Sequence, residues 1–85
     1  MASSMSVTFH GISRLKFKAI RARIRAQAVK TSVLGDTGSA SDGTLTYEWV
    51  YCEDEQKLTM TCTKRPWWKS EAFVESRIRG LVEAL

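Results

Sequence analysis

The residues able to do chemistry in this chain are few. They are Asp36, in the string Asp36-Thr37-Gly38-Ser39, the thiols Cys52 and Cys62, the single histidine His10, and a run of lysines and arginines near the start. An aspartate becomes an acid-base catalyst when a second one is brought against it, because like charges at close range force the pair to share one proton. A cysteine becomes a nucleophile when a histidine can take its proton, but His10 lies far in sequence from both thiols and just before Gly11, where a surface or capping role is the plainer reading. The two cysteines lack Cys-x-x-Cys spacing, and with one histidine they supply too few ligands for a tetrahedral zinc. The Asp and Gly residues of 35–44 lack the alternating oxygen ligands and closing glutamate of a calcium loop. No Gly-x-x-x-x-Gly-Lys phosphate loop is present.

Asp36-Thr37-Gly38-Ser39 resembles the active-site loop of aspartic proteases, whose short viral-type members work as homodimers. That resemblance implies one aspartate from each of two copies. It covers under a twentieth of the chain. The family also places a strand ahead of the loop and a hydrophobic pair followed by glycine beneath it, whereas here a helix is expected to lead in and Ile78-Arg79-Gly80 falls in another helix. Asp, Thr, Gly and Ser are ordinary loop residues. The chain is therefore read as a non-enzyme without cofactor or metal, with dimeric aspartic-protease-like activity at Asp36 as the outlying alternative.

The cations are the broader signal. Of thirteen Lys and Arg against nine Asp and Glu, seven fall in the first 35 residues with no acid among them, leaving the remaining fifty at net −3. Such asymmetry suits a polyanion, and equally suits attraction between the two halves. Nucleic-acid binding would use Arg14, Lys18, Arg21 and Arg25 on a helix, with Lys64 and Arg65 beside Trp67 and Trp68, whose rings could stack on bases. Against it, the helix's cations fall on two opposed seams, and no helix-turn-helix, zinc-finger or ribonucleoprotein signature occurs.

The elements that must position these residues follow from periodicity. Met5-Ser6-Val7-Thr8-Phe9 alternates as a short half-buried strand does. Ser13 is placed to cap a helix running from Arg14 to about Val33, although strict alternation through Leu15, Phe17 and Ala19 competes as a strand; the alanines favour the helix. Wound as a helix, it has two apolar faces, Phe17, Ile20, Ile24 and Ala28 on one, and Leu15, Ala19, Ala22, Ala26 and Val29 on the other. The first is expected against a sheet and the second against another helix or a second copy.

Residues 35–44 are nearly all turn formers and read as a flexible loop, with Gly35 capping the helix. Leu45–Cys52 and Leu58–Thr63 form a hairpin about Glu53–Gln56. If Cys52 faces Lys57, then Tyr51 meets Leu58, Trp49 meets Met60 and Tyr47 meets Cys62, giving one apolar face and holding the two thiols on opposite faces. Ser70 caps a second helix with a single apolar stripe through Val74, Ile78, Leu81 and Leu85, and Gly80 within it suggests a close backbone approach.

The expected fold is α+β, a small antiparallel hairpin, three-stranded if the first strand joins it, with one face covered by two helices in a single domain over 1–85. The core should contain Phe17, Ile20, Ile24, Tyr47, Trp49, Leu58, Met60, Val74, Ile78 and Leu81. A chain of 85 residues has little interior for its surface, and small domains commonly add a partner. The expected function is thus a protein-interaction module that self-associates as a homodimer through Ala22, Ala26, Val29, Trp67 and Trp68. Another protein partner is also compatible with these residues. No run approaches the roughly 18 apolar residues of a membrane span, and residues 1–6 do not read as a signal segment, so a soluble cytoplasmic chain with reduced thiols and no membrane partner is expected.

Overall fold

In the computed structural model, which describes residues 5–66 and 68–83, the chain runs β1 (Met5–Phe9), α1 (Arg14–Gln27), β2 (Lys30–Leu34), β3 (Thr37–Ser41), β4 (Thr46–Cys52), β5 (Lys57–Lys64) and α2 (Glu71–Glu83). The five strands make one antiparallel sheet in the order β1-β5-β4-β3-β2. The fold is α+β, with a sheet larger than the expected hairpin. α1 carries the chain from β1 at one edge to β2 at the other, after which three successive hairpins return it.

The alternation in β4 and β5 sets their pairing. Tyr47 lies opposite Cys62, Trp49 opposite Met60, Tyr51 opposite Leu58 and Cys52 opposite Lys57, the register the apolar pattern requires. Phe9 pairs with Leu58 and Val7 with Met60, so β1 extends the same apolar face. Gln56 takes a positive φ of 49° in the β4–β5 turn, and its carbonyl accepts the Ile12 N–H at 2.9 Å.

Two expectations about residues 28–44 are corrected. The helix ends at Gln27 instead of near Val33, and 37–41 is a strand instead of loop. Lys30-Thr31-Ser32-Val33-Leu34 is rich in β-branched and hydroxyl side chains, which lose freedom or compete for backbone bonds in a helix. Gly35 serves a hairpin instead of a helix cap. It is the first of two central residues and alone in the turn has a positive φ, 63°, the pattern of a type II′ connection.

Both helices bury their stripes on one sheet face. Phe17, Ile20 and Ile24 of α1 and Val74, Ile78, Leu81 and Val82 of α2 join Tyr47, Trp49, Tyr51, Leu58, Met60 and Cys62 in one buried cluster that includes all ten expected core residues. Ser13 accepts the Lys16 N–H and Ser70 the Phe73 N–H, both at 3.1 Å, so each helix starts on the expected serine cap. The close backbone approach is at Gly38 instead of Gly80. A Cβ on Gly80 would meet nothing within 4 Å, whereas one on Gly38 would strike the indole of Trp49, its cross-strand partner. The opposite sheet face is a polar lattice, in which Ser6 and Thr61 share a 2.8 Å hydroxyl hydrogen bond across β1 and β5.

Candidate interaction surfaces

Asp36, the other central residue of the β2–β3 turn, is held by Arg14 at the first turn of α1. Nη1 donates to Oδ1 at 2.6 Å and Nη2 to Oδ2 at 3.1 Å. The same guanidinium donates from Nε to Glu53 Oε1 at 2.7 Å and lies 5.1 Å from the centroid of the Tyr51 ring. Tyr51 stacks on Phe17 at 4.3 Å and donates its hydroxyl to the Ile12 carbonyl at 2.6 Å. The guanidinium hydrogen bonds hold the Asp36 carboxyl below the usual carboxylate range, and the carboxylates raise Arg14 in turn. Through Asp36 and Glu53, Arg14 ties the start of α1 to two hairpin turns.

The other reactive side chains are dispersed. Cys52 is half-buried and Cys62 buried, on opposite sheet faces, and both are free thiols. Burial pushes the Cys62 thiol up, and its Sγ donates to the Lys64 carbonyl at 3.3 Å. His10 is exposed at the end of β1. Among the described residues no three His, Cys, Asp or Glu side chains gather as metal ligands would, and no helix is long and apolar enough to cross a membrane. The depression between α1, α2, β3 and β4, lined by Ile24, Ala40, Tyr47, Arg77 and Leu81, holds about 10 Å³, far below the roughly 300 Å³ at which ligand pockets begin.

Of the surface expected from sequence, Ala22 and Ala26 are exposed on the outer side of α1, Val29 follows it at 79% exposure, and Trp68 is 60% exposed. Trp67 lies outside the described residues. Leu15, expected against another helix, is also 79% exposed. Trp68 and Phe73 flank the Lys69 ammonium, 4.8 and 4.0 Å from their ring centroids.

The six expected nucleic-acid contacts separate into two groups. Arg14 is committed to Asp36 and Glu53; Arg21 donates to the Gly35 carbonyl at 3.3 Å and lies over Phe17; Arg65 donates to the Lys69 carbonyl and lies 3.9 Å from Glu71. Lys18, Arg25 and Lys64 are exposed and make no ion pair among the described residues.

The surface that sequence reasoning missed is the β2 edge. All five residues of Lys30–Leu34 are exposed, with Leu34 at 80%. The ladder shows where their backbone groups point. Tyr51 N–H donates to the Asp36 carbonyl at 2.9 Å, so Asp36, Gly38 and Ala40 turn toward β4. Antiparallel pairing alternates, so Thr37, Ser39 and Ser41 turn toward Leu34, Ser32 and Lys30. The N–H and C=O groups of Thr31 and Val33 therefore point outward. The signal available in the sequence was the β-branched run ending at Gly35-Asp36, which the helix reading absorbed.

Searches for similar proteins found no match to a protein family, a curated protein or a solved structure.

Proposed function

We propose that the chain is a non-enzymatic protein-interaction module that self-associates, and that its contact is edge-to-edge pairing of β2 with β2 of a second copy. The observation that carries this reading is the outward-facing backbone of Thr31 and Val33, which no strand among the described residues pairs, on a fully exposed strand. Exposed edges are templates for pairing and are ordinarily blunted by proline, bulges or several charges. β2 has neither proline nor bulge, and its one charge, Lys30, is at the end.

The strand is self-complementary. Paired antiparallel about a two-fold axis at Ser32, Thr31 of each copy lies opposite Val33 of the other, and their four N–H and four C=O groups form four hydrogen bonds. At about 0.5–1.5 kcal/mol net each, these supply about 2–6 kcal/mol, against association costs of about 4 kcal/mol or more. Contact between Leu34 and the aliphatic stem of Lys30 in the second copy adds apolar burial. A weak, concentration-dependent dimer is expected.

The outer face of α1 is less suited to self-contact than the sequence suggested. Apposing two copies of it would bring Lys18 and Arg25 of one against the same cations of the other, a like-charge juxtaposition. The free thiols on opposite faces fit the reducing, cytoplasmic setting expected from the sequence.

The test is solution mass by light scattering across a concentration series. Val33→Pro removes one outward N–H that the β2–β3 ladder does not use, a position where an edge strand tolerates proline. The parent should shift from monomer to dimer with concentration while Val33→Pro stays monomeric with a closely similar melting curve. Thr31→Lys should act likewise. A parent monomeric throughout, or a dimer indifferent to both changes, would overturn the proposal.

A further inference from the structure

We infer that the exposed face of α1 is a binding ridge for the phosphate backbone of duplex nucleic acid. The inference is independent of the β2 contact and needs only one copy.

The two cation seams acquire a different meaning once the buried face of α1 is known. Phe17, Ile20 and Ile24 point into the core. At about 100° per residue, Lys18 and Arg25 then form one rim of the exposed half of the helix and Lys16 and Arg23 the other, about 160° apart. Between them lie Leu15, Ala19, Ala22 and Ala26, all exposed. The seams thus border one outward surface, Lys18 and Arg25 on one side and Lys16 and Arg23 on the other, where Arg23 lines a depression with Ser76 and Arg77 of α2. Along each seam the cations are seven residues apart, about 10.5 Å at 1.5 Å per residue. Arg21, beside the first seam, is turned to the Gly35 carbonyl and the Asp36 carboxylate and is not counted with these four.

These charges are not neutralised within the domain. Seven of the nine carboxylates are in ion pairs elsewhere, Asp36 and Glu53 with Arg14, Glu55 with Lys57, Glu71 with Arg65, Asp42 with Arg77, and Glu75 and Glu83 with Arg79. The other two are Glu48, on the polar sheet face, and Asp54, in the β4–β5 turn. Lys16, Lys18, Arg23 and Arg25 form no ion pair among the described residues, and Arg23 Nε is buried without a hydrogen-bond partner among them. A surface with four uncompensated cations attracts a polyanion and gains from counterion release on binding it.

The floor between the seams selects among polyanions. One leucine and three alanines offer little apolar bulk to insert into a membrane, where surface helices use Trp, Phe and Leu. The same floor presents no aromatic ring on which an unpaired base could stack. It also carries no Asn, Gln, Arg or Lys to read base edges. A duplex held by its phosphates, without sequence preference, is the occupant that fits.

The test is fluorescence anisotropy with a labelled mixed-sequence DNA duplex, its single strand and anionic phospholipid vesicles as the three probes. With four phosphates neutralised, the slope of log K on log salt is about −3.6, so affinity should fall about 150-fold between 50 and 200 mM salt. Lys18→Ala with Arg25→Ala should weaken binding and flatten the slope by about 1.8, leaving a fall of about 12-fold. Ala22→Glu, a change on the solvent side that leaves the core untouched, should also weaken binding at low salt. Arg79→Ala on α2 should change neither affinity nor slope. The inference is overturned if the duplex does not bind at low salt, if neither α1 variant weakens binding, or if the single strand or the vesicles bind more tightly than the duplex.

Discussion

Alanine at position 38 tests the packing that decides this fold. Gly38 pairs with Trp49, and a Cβ there would stand 2.8 Å from Trp49 Cε2, closer still to Cζ2, and 2.8 Å from the Ser32 carbonyl oxygen. Neither obstacle can yield easily, since Trp49 is 1% exposed and Ser32 O belongs to the backbone of the adjoining strand. Overpacking a filled core costs about 1–3 kcal/mol, and rigid neighbours on two sides place Gly38→Ala near about 3 kcal/mol. A domain of 85 residues has roughly 4–13 kcal/mol in all. At about 4–8 °C per kcal/mol for this size, the melting temperature should fall by about 12–24 °C, read by circular dichroism or calorimetry. Trp49→Phe removes the benzo ring that the new methyl strikes and a buried Nε1 that has no hydrogen-bond partner among the described residues. In that background Gly38→Ala should cost about 1–2 kcal/mol less, a coupling that a double-mutant cycle measures. The carbonyl contact remains, so recovery is partial. A Gly38→Ala protein melting with the parent, or strict additivity in the cycle, would refute the reasoning.

Acid should destabilise the domain through Asp36 and Asp42. Arg14 holds Asp36 low; at Asp42 desolvation pushes upward but is outweighed by the Leu45 and Thr44 N–H groups and Arg77, so its pKa is also lowered. Groups whose folded pKa lies below the unfolded value of about 3.9 contribute fully above it and lose that contribution as pH falls through the folded value. Melting temperature should therefore show little dependence on these two groups between neutral pH and about pH 5 and drop on further acidification, with a shallower acid limb in Asp36→Asn/Asp42→Asn; an unchanged limb contradicts the assignment. Arg14→Gln should lower the melting temperature and return the Asp36 titration, followed by NMR, toward the ordinary aspartate range. An unmoved titration would mean that Arg14 does not set it.

Periodicity and caps were legible from residues alone. The β4–β5 register follows from Tyr47, Trp49 and Tyr51 meeting Cys62, Met60 and Leu58, because a one-residue slip would turn the three of the slipped strand toward water. Ser13 and Ser70 mark helix starts because their hydroxyls satisfy N–H groups a helix leaves unpaired. The stripes of α1 and α2 point to the core by spacing alone, and charge asymmetry is a matter of composition.

Tertiary structure decided what local signals left balanced. Residues 30–41 look like the end of a helix and a turn-rich loop, yet β3 pairs with β4 and β2 with β3, and these ladders satisfy backbone groups that no side-chain pattern announces. Gly38 is a glycine because an indole from a strand eleven residues away occupies its side-chain space. The two apolar faces of α1 differ in bulk, and the sheet takes the larger, which turns the alanine face outward between the two cation seams; strand pairing leaves β2 as an edge. Sequence supplies the faces and charges of each element, and the long-range pairing of strands determines which of them remain exposed to meet a partner.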